Sequence, residues 1–488
     1  MVGPLSLGAD LQSKIDQLIS KSAALSGAFV GFRILNLKTG RVLYNLNSDR
    51  LFVPASNMKL FTSALALARL GPDYRFSTQI QADRPIDASG TLDGDLFLVG
   101  GGDPSLSARP YPYQYTPGTA PTANYSLRAI DELADQLVSL GLKRVDGNIV
   151  GDDRRYVFEP HPGVWQVGDA LSEDGAPISA LFIDDNSFAL TLRPAATRGS
   201  LAQISLAPAL EYFSIENRLR TEAGVKTKIE IQRAPGSHEL LIQGVLATSD
   251  PGFTEVLAVD DPAQYAAIVL RDALERRGVV IHGQAAALHR FSDQDNESSG
   301  NSSTGRKIVF AERTSPPLAE LLQVVDKVSQ NLHAEILLRE AGLRKTGIGS
   351  RESGLAELQA FLNNEAGIPK SSYVFTDGSG LSRSSLVTPA AIVRLLAYMY
   401  RSSYRDLWIS LLPIAGADGT LANRFENHPE ARAIHAKTGT LGHVRALSGY
   451  VLTAGNDALG FSLLINNYNA PAGELTPILD QIVLALVN

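Results

Sequence analysis

Helical sequence patterns at both ends of the chain enclose a long β-rich middle, and this layout constrains the fold more than any other feature. Residues 11–25 and 56–70 have helical apolar spacing, and two strand-like runs lie between them, at 28–37 and 42–46. From about residue 81 to 307, short β-rich stretches alternate with Gly, Pro and Asp turns, after which long helical patterns resume. Terminal segments of a domain usually lie close together. The pattern therefore predicts one domain interrupted by a long insertion.

The composition excludes several classes of function. At 488 residues the chain is long enough for two or three domains. Its net charge of −7 argues against nucleic acid as a partner, since phosphate binding requires a basic face. The absence of cysteine excludes disulfides, thiolate metal sites and a cysteine nucleophile. The 8 histidines form no H-E-x-x-H motif and no close pair, so the sequence predicts no metal site.

The sequence gives little information on localisation. No apolar run approaches the roughly 18 residues of a membrane span, which predicts no integral membrane segment. The N-terminal residues lack the basic and apolar regions of a signal peptide. Two alternatives stay open on this ground, a protein that remains inside the cell and one whose signal peptide has been removed.

The tetrapeptide Ser56-Asn-Met-Lys59 contains a nucleophile and a base. A serine hydroxyl is a weak nucleophile that needs an adjacent base, and a spacing of three places both side chains on one face of a helix. At the first turn of that helix, free N–H groups and the helix dipole favour a developing oxyanion. Desolvation or a nearby cation would keep Lys59 neutral. The alternative is an N-cap serine and a surface lysine, yet no other lysine has a serine three residues before it.

Lys-Thr-Gly occurs three times, and its context separates the copies. Lys38-Thr-Gly40 lies between two strand-like runs and is typical of a hairpin turn. Lys345-Thr-Gly347 follows a helical run, where a basic residue and a glycine favour a C-terminal stop. Lys437-Thr-Gly439 instead ends a strand-like run. On an edge strand beside an active site, Lys437 would face a substrate carboxylate, and the missing side chain of Gly439 would let the substrate backbone approach.

Ser-x-Asn occurs twice, and again only one copy is a candidate for function. Ser299-Gly-Asn301 lies in a stretch of Ser, Asn, Asp and Gly, which predicts a mobile surface loop that would not hold it in register. Ser329-Gln-Asn331 lies in a helical region between the other two motifs. Taken alone this tripeptide is more typical of a helix surface. Its position in the order of the three motifs is what indicates a site.

Ser56-x-x-Lys59, Ser329-x-Asn331 and Lys437-Thr-Gly439 resemble the three motifs of penicillin-binding proteins and serine β-lactamases. The long insertion and the string Asp377-Gly-Ser-Gly-Leu-Ser-Arg383 resemble, within this superfamily, the class C low-molecular-mass D-alanyl-D-alanine carboxypeptidases of peptidase family S13. The resemblance covers essentially the whole chain. Further strings that resemble this family are Gly94–Asp103, Gly147–Asp153 and Lys327–Glu335.

The resemblance implies an α+β fold with a penicillin-binding, β-lactamase-like transpeptidase domain, an antiparallel sheet flanked by helices. The inserted β-rich region would form two extra domains. The catalytic domain is expected to comprise residues 1–80 and 310–488, the second domain residues 81–190 and 272–309, and the third domain residues 191–271.

A catalytic role is implied for each of five residues. Ser56 resembles the acylated nucleophile, and Lys59 resembles the base that activates it. Ser329 would relay a proton to the leaving amine, and Asn331 would hold the acyl amide. Lys437 resembles the cation on the strand that faces the substrate carboxylate.

Substrate contacts are implied for a second set of residues. Thr438 and Gly439 belong to the carboxylate-facing strand, and the backbone N–H groups of Ser56 and Thr440 would form the oxyanion hole. Another loop would line the pocket for the substrate side chain. The residues implied in substrate binding are Thr438, Gly439, Thr440, Ser379, Leu381, Arg383 and Asp153.

Asp153 is chosen because the family places an acidic residue of its inserted domain near the diaminopimelate amine of the peptidoglycan stem. In this chain the string reads Asp152-Asp-Arg-Arg-Tyr156. The alternative for this aspartate pair is a solvated turn.

The implied function is that of a serine D-Ala-D-Ala carboxypeptidase, with DD-endopeptidase activity as an additional expectation. Peptidoglycan stem peptides would be the substrate and β-lactams covalent inhibitors, without a cofactor or a metal ion. The location would be periplasmic or otherwise extracytoplasmic, and the oligomeric state stays open. The alternatives are a β-lactamase or esterase on the same scaffold and a non-catalytic protein that binds the cell wall.

Overall fold

The structure, a computed structural model, describes residues 5–117, 127–291, 307–452 and 458–487. Its helices are α1 (Leu5–Lys21), α2 (Met58–Leu70), α3 (Arg128–Ser139), α4 (Pro262–Glu275), α5 (Leu318–Gln323), α6 (Asn331–Thr346), α7 (Arg351–Asn364), α8 (Pro389–Arg401), α9 (Arg405–Leu411) and α10 (Ala472–Leu484).

The strands alternate with these helices along the chain. They are β1 (Phe29–Asn36), β2 (Val42–Leu46), β3 (Ser77–Ala82), β4 (Thr91–Leu92), β5 (Leu96–Val99), β6 (Arg144–Val145), β7 (Ile149–Val157), β8 (Ser187–Arg193), β9 (Gln203–Ala207), β10 (Ser214–Glu222), β11 (Lys228–Gln232), β12 (Glu239–Ala247), β13 (Phe253–Ala258), β14 (Val280–Ile281), β15 (Ala285–Arg290), β16 (Ile308–Thr314), β17 (Tyr373–Val374), β18 (Leu386–Val387), β19 (Ile434–Leu441), β20 (Val444–Leu452) and β21 (Ala458–Asn466).

A five-stranded antiparallel sheet joins the two ends of the chain. Its strand order is β19-β20-β21-β1-β2, so that a strand from the first 40 residues pairs with one from the last 40. Phe32 lies opposite Leu463 in this register, and both side chains are buried. Helices α1 and α10 pack on one face of the sheet through a shared apolar cluster. The two ends of the chain therefore share one sheet, and β19 lies at its edge.

The other face of this sheet is covered by a layer of helices around α2. Every residue from Met58 to Leu67 is buried, as is typical of a helix that packs on all sides. Helices α5 to α8 contact it or the sheet, and they share one apolar cluster with it. The helix that follows Ser56 is therefore held rigidly in the core.

The inserted region forms further sheets. A five-stranded sheet has the order β15-β7-β5-β3-β16, and α4 packs on its strands β7 and β15. Two three-stranded sheets, β13-β8-β9 and β10-β12-β11, lie farther along the insertion. The expected boundaries at 80/81, 309/310 and 271/272 fall inside β3, β16 and α4 respectively.

Two copies of Lys-Thr-Gly form the turns predicted for them. Lys38 and Thr39 donate backbone N–H groups to the side chain of Asn36, in the loop between β1 and β2. Gly347 caps the end of α6 with a left-handed φ of 79°. Residues 299–301, the second Ser-x-Asn copy, lie outside the described residues. Within the described ranges no helix is both long and apolar enough to span a membrane.

Candidate active site

Ser56 lies in a tight turn that leads directly into α2. Residues 54–57, called the nucleophile turn below, include a short 3-10 segment, Ala55–Asn57. Ala55 has a φ of 47°, a conformation that costs energy in any residue with a Cβ atom. The turn is wedged in place, because a Cβ atom on Gly380 would lie only 1.9 Å from the carbonyl oxygen of Ala55. Strained backbone thus presents the serine at the start of a buried helix.

Lys59 is fully buried beside this serine. Its Nζ atom lies 2.9 Å from Ser56 Oγ, 2.5 Å from Asn331 Oδ1 and 2.9 Å from the carbonyl oxygen of Ser379. Burial lowers the pKa of Lys59 to about 8, against the opposing effect of nearby carboxylates. A neutral amine has two N–H donors and one lone pair. As the ammonium, Lys59 donates to Ser56 Oγ and to both carbonyl oxygens. Once it is neutral, its two N–H groups can serve the carbonyl oxygens, and its lone pair faces the Ser56 hydroxyl.

The loop after β17 fixes one of these acceptors through a buried glutamate. Glu335 on α6 accepts hydrogen bonds from the backbone N–H groups of Gly378, at 2.8 Å, and Ser379, at 2.9 Å. Its other oxygen pairs with Arg339 at 3.0 Å. Ser379 therefore meets Lys59 through its backbone carbonyl. Its hydroxyl is buried and lies 3.4 Å from Asp377.

The second motif begins where a helix is interrupted. Residues 324–328 form a π turn after α5, and Ser329 follows with a left-handed φ of 71°. Asn331 then starts α6 and uses both ends of its amide. The oxygen contacts Lys59, and the nitrogen donates to the carbonyl oxygen of Asp174 at 2.8 Å. This second contact links the motif to the inserted region.

Lys437, from the third motif, lies on the edge strand β19 and contacts the second motif. Its Nζ atom donates to Ser329 Oγ at 2.8 Å. Burial, reinforced by the charge of Lys59, lowers its pKa well below the usual lysine value. Asn57 donates to the carbonyl oxygen of Lys437 at 3.1 Å, so the strand is tied to the nucleophile turn. A Cβ atom on Gly439 would lie 2.8 Å from the carbonyl oxygen of Pro54. The glycine thus permits packing against this turn.

A pocket of about 440 Å³ opens over these groups. No group of three or more metal-ligating side chains occurs in the part of the chain that the structure describes. The pocket is lined by Ser56, Asp174, Val328, Ser329, Asn331, Gly380, Leu381, Thr420, Arg424, Thr438, Gly439, Thr440, Leu441, Arg445, Ala446, Thr476 and Leu479.

Known proteins match the chain over almost its whole length. The model of the D-Ala-D-Ala carboxypeptidase 3 (S13) family matches residues 11–486. The chain belongs to the S13 family. It is 33% identical over 476 residues to the D-alanyl-D-alanine carboxypeptidase of Actinomadura sp. strain R39, covering 95% of this chain and 82% of that protein. It is 27% identical over 469 residues to penicillin-sensitive carboxypeptidase A of Dictyostelium discoideum, covering 91% of this chain and 84% of that protein.

The crystal structure of penicillin binding protein 4 from Haemophilus influenzae has the same fold. The TM-score is 0.82 at 23% identity, with 97% of this chain and 99% of that chain covered. The predicted penicillin-binding fold is thereby confirmed. Membership of the S13 family also confirms the predicted enzyme class, a serine D-Ala-D-Ala carboxypeptidase.

Three residues predicted for the substrate site, Ser379, Arg383 and Asp153, do not line this pocket, and the Ser379 side chain is fully buried. Arg383 is exposed and donates to the carbonyl oxygen of Gly442 at 3.0 Å, near the end of β19. Asp153 is buried on β7, where it pairs with His289 at 2.9 Å and accepts from Ser179 at 2.8 Å. These contacts occupy both of its carboxylate oxygens. Asp153 is therefore neither the solvated turn of the alternative interpretation nor a free acidic group in the pocket.

Sequence reasoning missed other residues that line the pocket. Asp174 lines the pocket with an exposed side chain from the insertion. Thr420 lines it as well and accepts a hydrogen bond from Thr438 at 2.7 Å. Neither residue belongs to a recognisable motif.

Proposed function

We propose that the protein cleaves the D-Ala-D-Ala bond of peptidoglycan stem peptides through an ester on Ser56. The observation that carries the proposal is the environment of Lys59, whose amine faces the serine hydroxyl and two carbonyl acceptors. In the first step Ser56 Oγ attacks the carbonyl carbon of the penultimate D-Ala, and its proton passes to Lys59. A buried base with a lowered pKa is suited to this transfer at neutral to mildly basic pH.

The tetrahedral intermediate would be stabilised by backbone donors. The N–H groups of Ser56 and Thr440 are the proposed oxyanion hole, and one such donor is worth about 3–4 kcal/mol when well placed. The C–N bond then breaks, and D-Ala leaves after its nitrogen receives a proton through Ser329. The contact between Ser329 and Lys437 supports this relay, because the lysine is the adjacent proton donor. Water then attacks the ester: one proton of the water passes through Ser329 to Lys437, Lys59 returns its proton to Ser56 Oγ as the ester C–O bond breaks, and the shortened peptide is released.

The pocket also supports a way to bind the terminal carboxylate. Thr438 and Thr440 line the pocket, and Lys437 donates a hydrogen bond to Ser329, which lines it too. Thr420 extends this polar surface. Together these groups fit the C-terminal carboxylate of a D-Ala-D-Ala peptide. Asn331 would hold the amide on the acyl side.

The pocket residues Leu381 and Asp174 are proposed to select the stem peptide. Leu381 provides an apolar contact, and the exposed carboxylate of Asp174 is placed to meet an amine, such as that of diaminopimelate. Arg383 and Ser379 would act from the loop that carries Leu381, Arg383 as a charge at the rim and Ser379 through its backbone. Asp153 would act only by supporting the inserted sheet, given its contact with His289.

The same acyl-enzyme would form from a D-Ala-amine bond in a peptide cross-link, which is the proposed endopeptidase activity. It would also form from a β-lactam, whose strained amide presents a comparable carbonyl, and slow hydrolysis would make such a compound an inhibitor. A peptidoglycan substrate implies an extracytoplasmic, periplasmic-type location. A β-lactamase differs from this proposal only in clearing the penicilloyl ester rapidly.

The direct experiment measures D-Ala released from diacetyl-L-Lys-D-Ala-D-Ala by wild-type protein and by Ser56→Ala. Release by the wild type alone, with slow turnover of a fluorescent penicillin, supports the proposal. Rapid hydrolysis of the penicillin without D-Ala release would favour a β-lactamase. No reaction with either compound would favour a non-catalytic cell-wall-binding protein.

A further inference from the structure

Asp326 is a buried carboxyl group close to the catalytic lysines, and the mechanism above does not use it. It lies in the π turn of residues 324–328, immediately before the second motif. The side chain is fully buried. Neither of its carboxylate oxygens has a hydrogen-bond partner within the described residues. Buried polar groups are nearly always hydrogen-bonded, so this exception calls for an explanation.

The π turn that carries Asp326 packs against α2, which carries Lys59, and Ser329 at the end of this turn contacts Lys437. Ser63 lies one turn after Lys59 on the same face of α2, and its side chain is close enough to Asp326 to lower the carboxyl pKa, although not in hydrogen-bonding geometry. On the other side, Ser329 comes three residues after Asp326 and accepts the hydrogen bond of Lys437. Both lysines interact electrostatically with the carboxyl group.

Three lysines face the Asp326 carboxyl group. Lys437 of β19 and Lys59 of α2 lower its pKa, and so does Lys327 on the same π turn, which donates to Asp418 at 2.6 Å and to the carbonyl oxygen of Leu412 at 3.0 Å. Burial lowers the pKa of both Lys59 and Lys437. Asp326 opposes that effect at Lys437, whereas at Lys59 the charges of Asp174, Asp377 and Glu335 oppose it more strongly than Asp326 does.

The titration of Asp326 is consistent with a shared role. Burial raises the pKa of Asp326 to about 7, and the positive charges of Lys437 and Lys59 oppose this rise. An isolated buried carboxylate is costly. Its ionised form is stabilised only while positive charge remains on the neighbouring lysines, so the three groups titrate as one cluster.

We propose that Asp326 is a positioning residue for acyl transfer, a buried counter-charge that Lys59 and Lys437 share. The proposal rests on the proposed function. In the attack step of acylation the O–H bond of Ser56 breaks, an N–H bond forms on Lys59, and the buried lysine pair gains one positive charge until Lys437 passes a proton to the leaving group through Ser329. The carboxylate of Asp326 offsets that charge. It does so from outside hydrogen-bond distance and touches no reacting atom.

Substitution Asp326→Asn removes the charge and nearly preserves the shape. Without the negative charge, the pKa of both lysines falls. Lys59 is then neutral at lower pH, so the rising part of the pH–rate profile, its acid limb, moves to lower pH. The expected shift is about 1 unit, the smallest pKa change typical of a neighbouring charge. Lys59 also becomes a weaker base, and the plateau rate falls. A merely structural role would lower the plateau and leave the limb in place.

The experiment measures the second-order rate of benzylpenicillin acylation from pH 5 to 10 for the wild type, Asp326→Asn and the surface control Asp406→Asn. The expected result is a limb shifted downward in Asp326→Asn alone, with a plateau lowered about tenfold. If the wild type forms the Ser56 adduct but the acid limb of Asp326→Asn is not shifted, the role of Asp326 is overturned and the proposed function stays intact. Absence of any adduct in the wild type refutes the proposed function itself.

A second measurement avoids dependence on the folding of Asp326→Asn. Carbon-13 NMR of aspartate-labelled protein follows the carboxyl titrations of the wild type and of Lys437→Ala. One aspartate that titrates near pH 7 in the wild type should titrate at higher pH in Lys437→Ala, because a neighbouring positive charge is gone. Identical aspartate titrations in the two proteins would overturn the shared counter-charge.

Discussion

Acylation of Ser56 should become faster with rising pH until Lys59 has lost its proton. Lys59 acts as a base only when neutral, and its folded-state pKa of about 8 lies below the ordinary lysine value of 10.5. That lowering corresponds to roughly 3 kcal/mol of preference for the neutral amine, at about 1.4 kcal/mol per pKa unit. Below pH 8 the neutral fraction falls about tenfold per pH unit, to about 10% at pH 7 and about 1% at pH 6.

The suitable assay is the second-order rate of benzylpenicillin acylation under pseudo-first-order conditions, because this constant reports groups of the free enzyme. The expected profile rises with a slope of about one below pH 8 and is flat above it. Lys345→Ala, which alters the exposed lysine of another Lys-Thr-Gly copy, should give the same profile. Lys59→Ala should remove the pH-dependent rate.

Two results would refute this reasoning. A rate that still rises at pH 10 would mean that the base has an ordinary lysine pKa, and that burial of Lys59 does not control its proton. A flat profile from pH 5 to 9, retained in Lys59→Ala, would mean that another group activates Ser56.

Three further substitutions test separate parts of the site. Lys437→Ala should lower D-Ala release at least about a hundredfold, as expected for loss of a buried charged contact. Lys345→Ala, in another Lys-Thr-Gly copy, should leave the release unchanged. A fall in release for both variants would contradict the assignment of Lys437-Thr-Gly439 as the functional copy. Gly439→Ala forces a Cβ atom to 2.8 Å from a backbone oxygen of the nucleophile turn and should cost about 1–3 kcal/mol in unfolding free energy; chemical denaturation that shows an unchanged stability contradicts the packing described. Asp174→Asn should lower kcat/KM for diaminopimelate peptides more than for diacetyl-L-Lys-D-Ala-D-Ala. The control Glu173→Gln, in the same loop, should change kcat/KM for the two substrates equally. Equal losses on both substrates in Asp174→Asn would exclude recognition of the amine by Asp174.

The sequence predicted those features of the site that depend on local pattern and order. The strand-like run before Lys437 predicted a strand there, but the predicted end at Lys437 was wrong, because β19 continues through the motif to Leu441 at the edge of its sheet. The turn residues around Lys38 and Lys345 predicted a hairpin loop and a helix end, and both occur. In each instance the deciding signal lay within a few residues of the motif.

Contacts between distant segments could not be predicted in this way. Asp174 meets Asn331 across 157 residues of sequence, and no local pattern announces that contact. Asp153 follows a family string, but its partner His289 lies 136 residues away and removes it from the pocket. Asp326 lies in a run of helical pattern, where a charged residue is typical of a solvated face. Only the three-dimensional packing shows that it is buried.

Mass spectrometry of the protein after treatment with benzylpenicillin tests the central claim most directly. The reaction predicts a single penicilloyl adduct on the peptide that contains Ser56, and no adduct in a folded Ser56→Ala variant. An unmodified wild-type protein, or an adduct on any other residue, would contradict the assignment of Ser56 as the nucleophile.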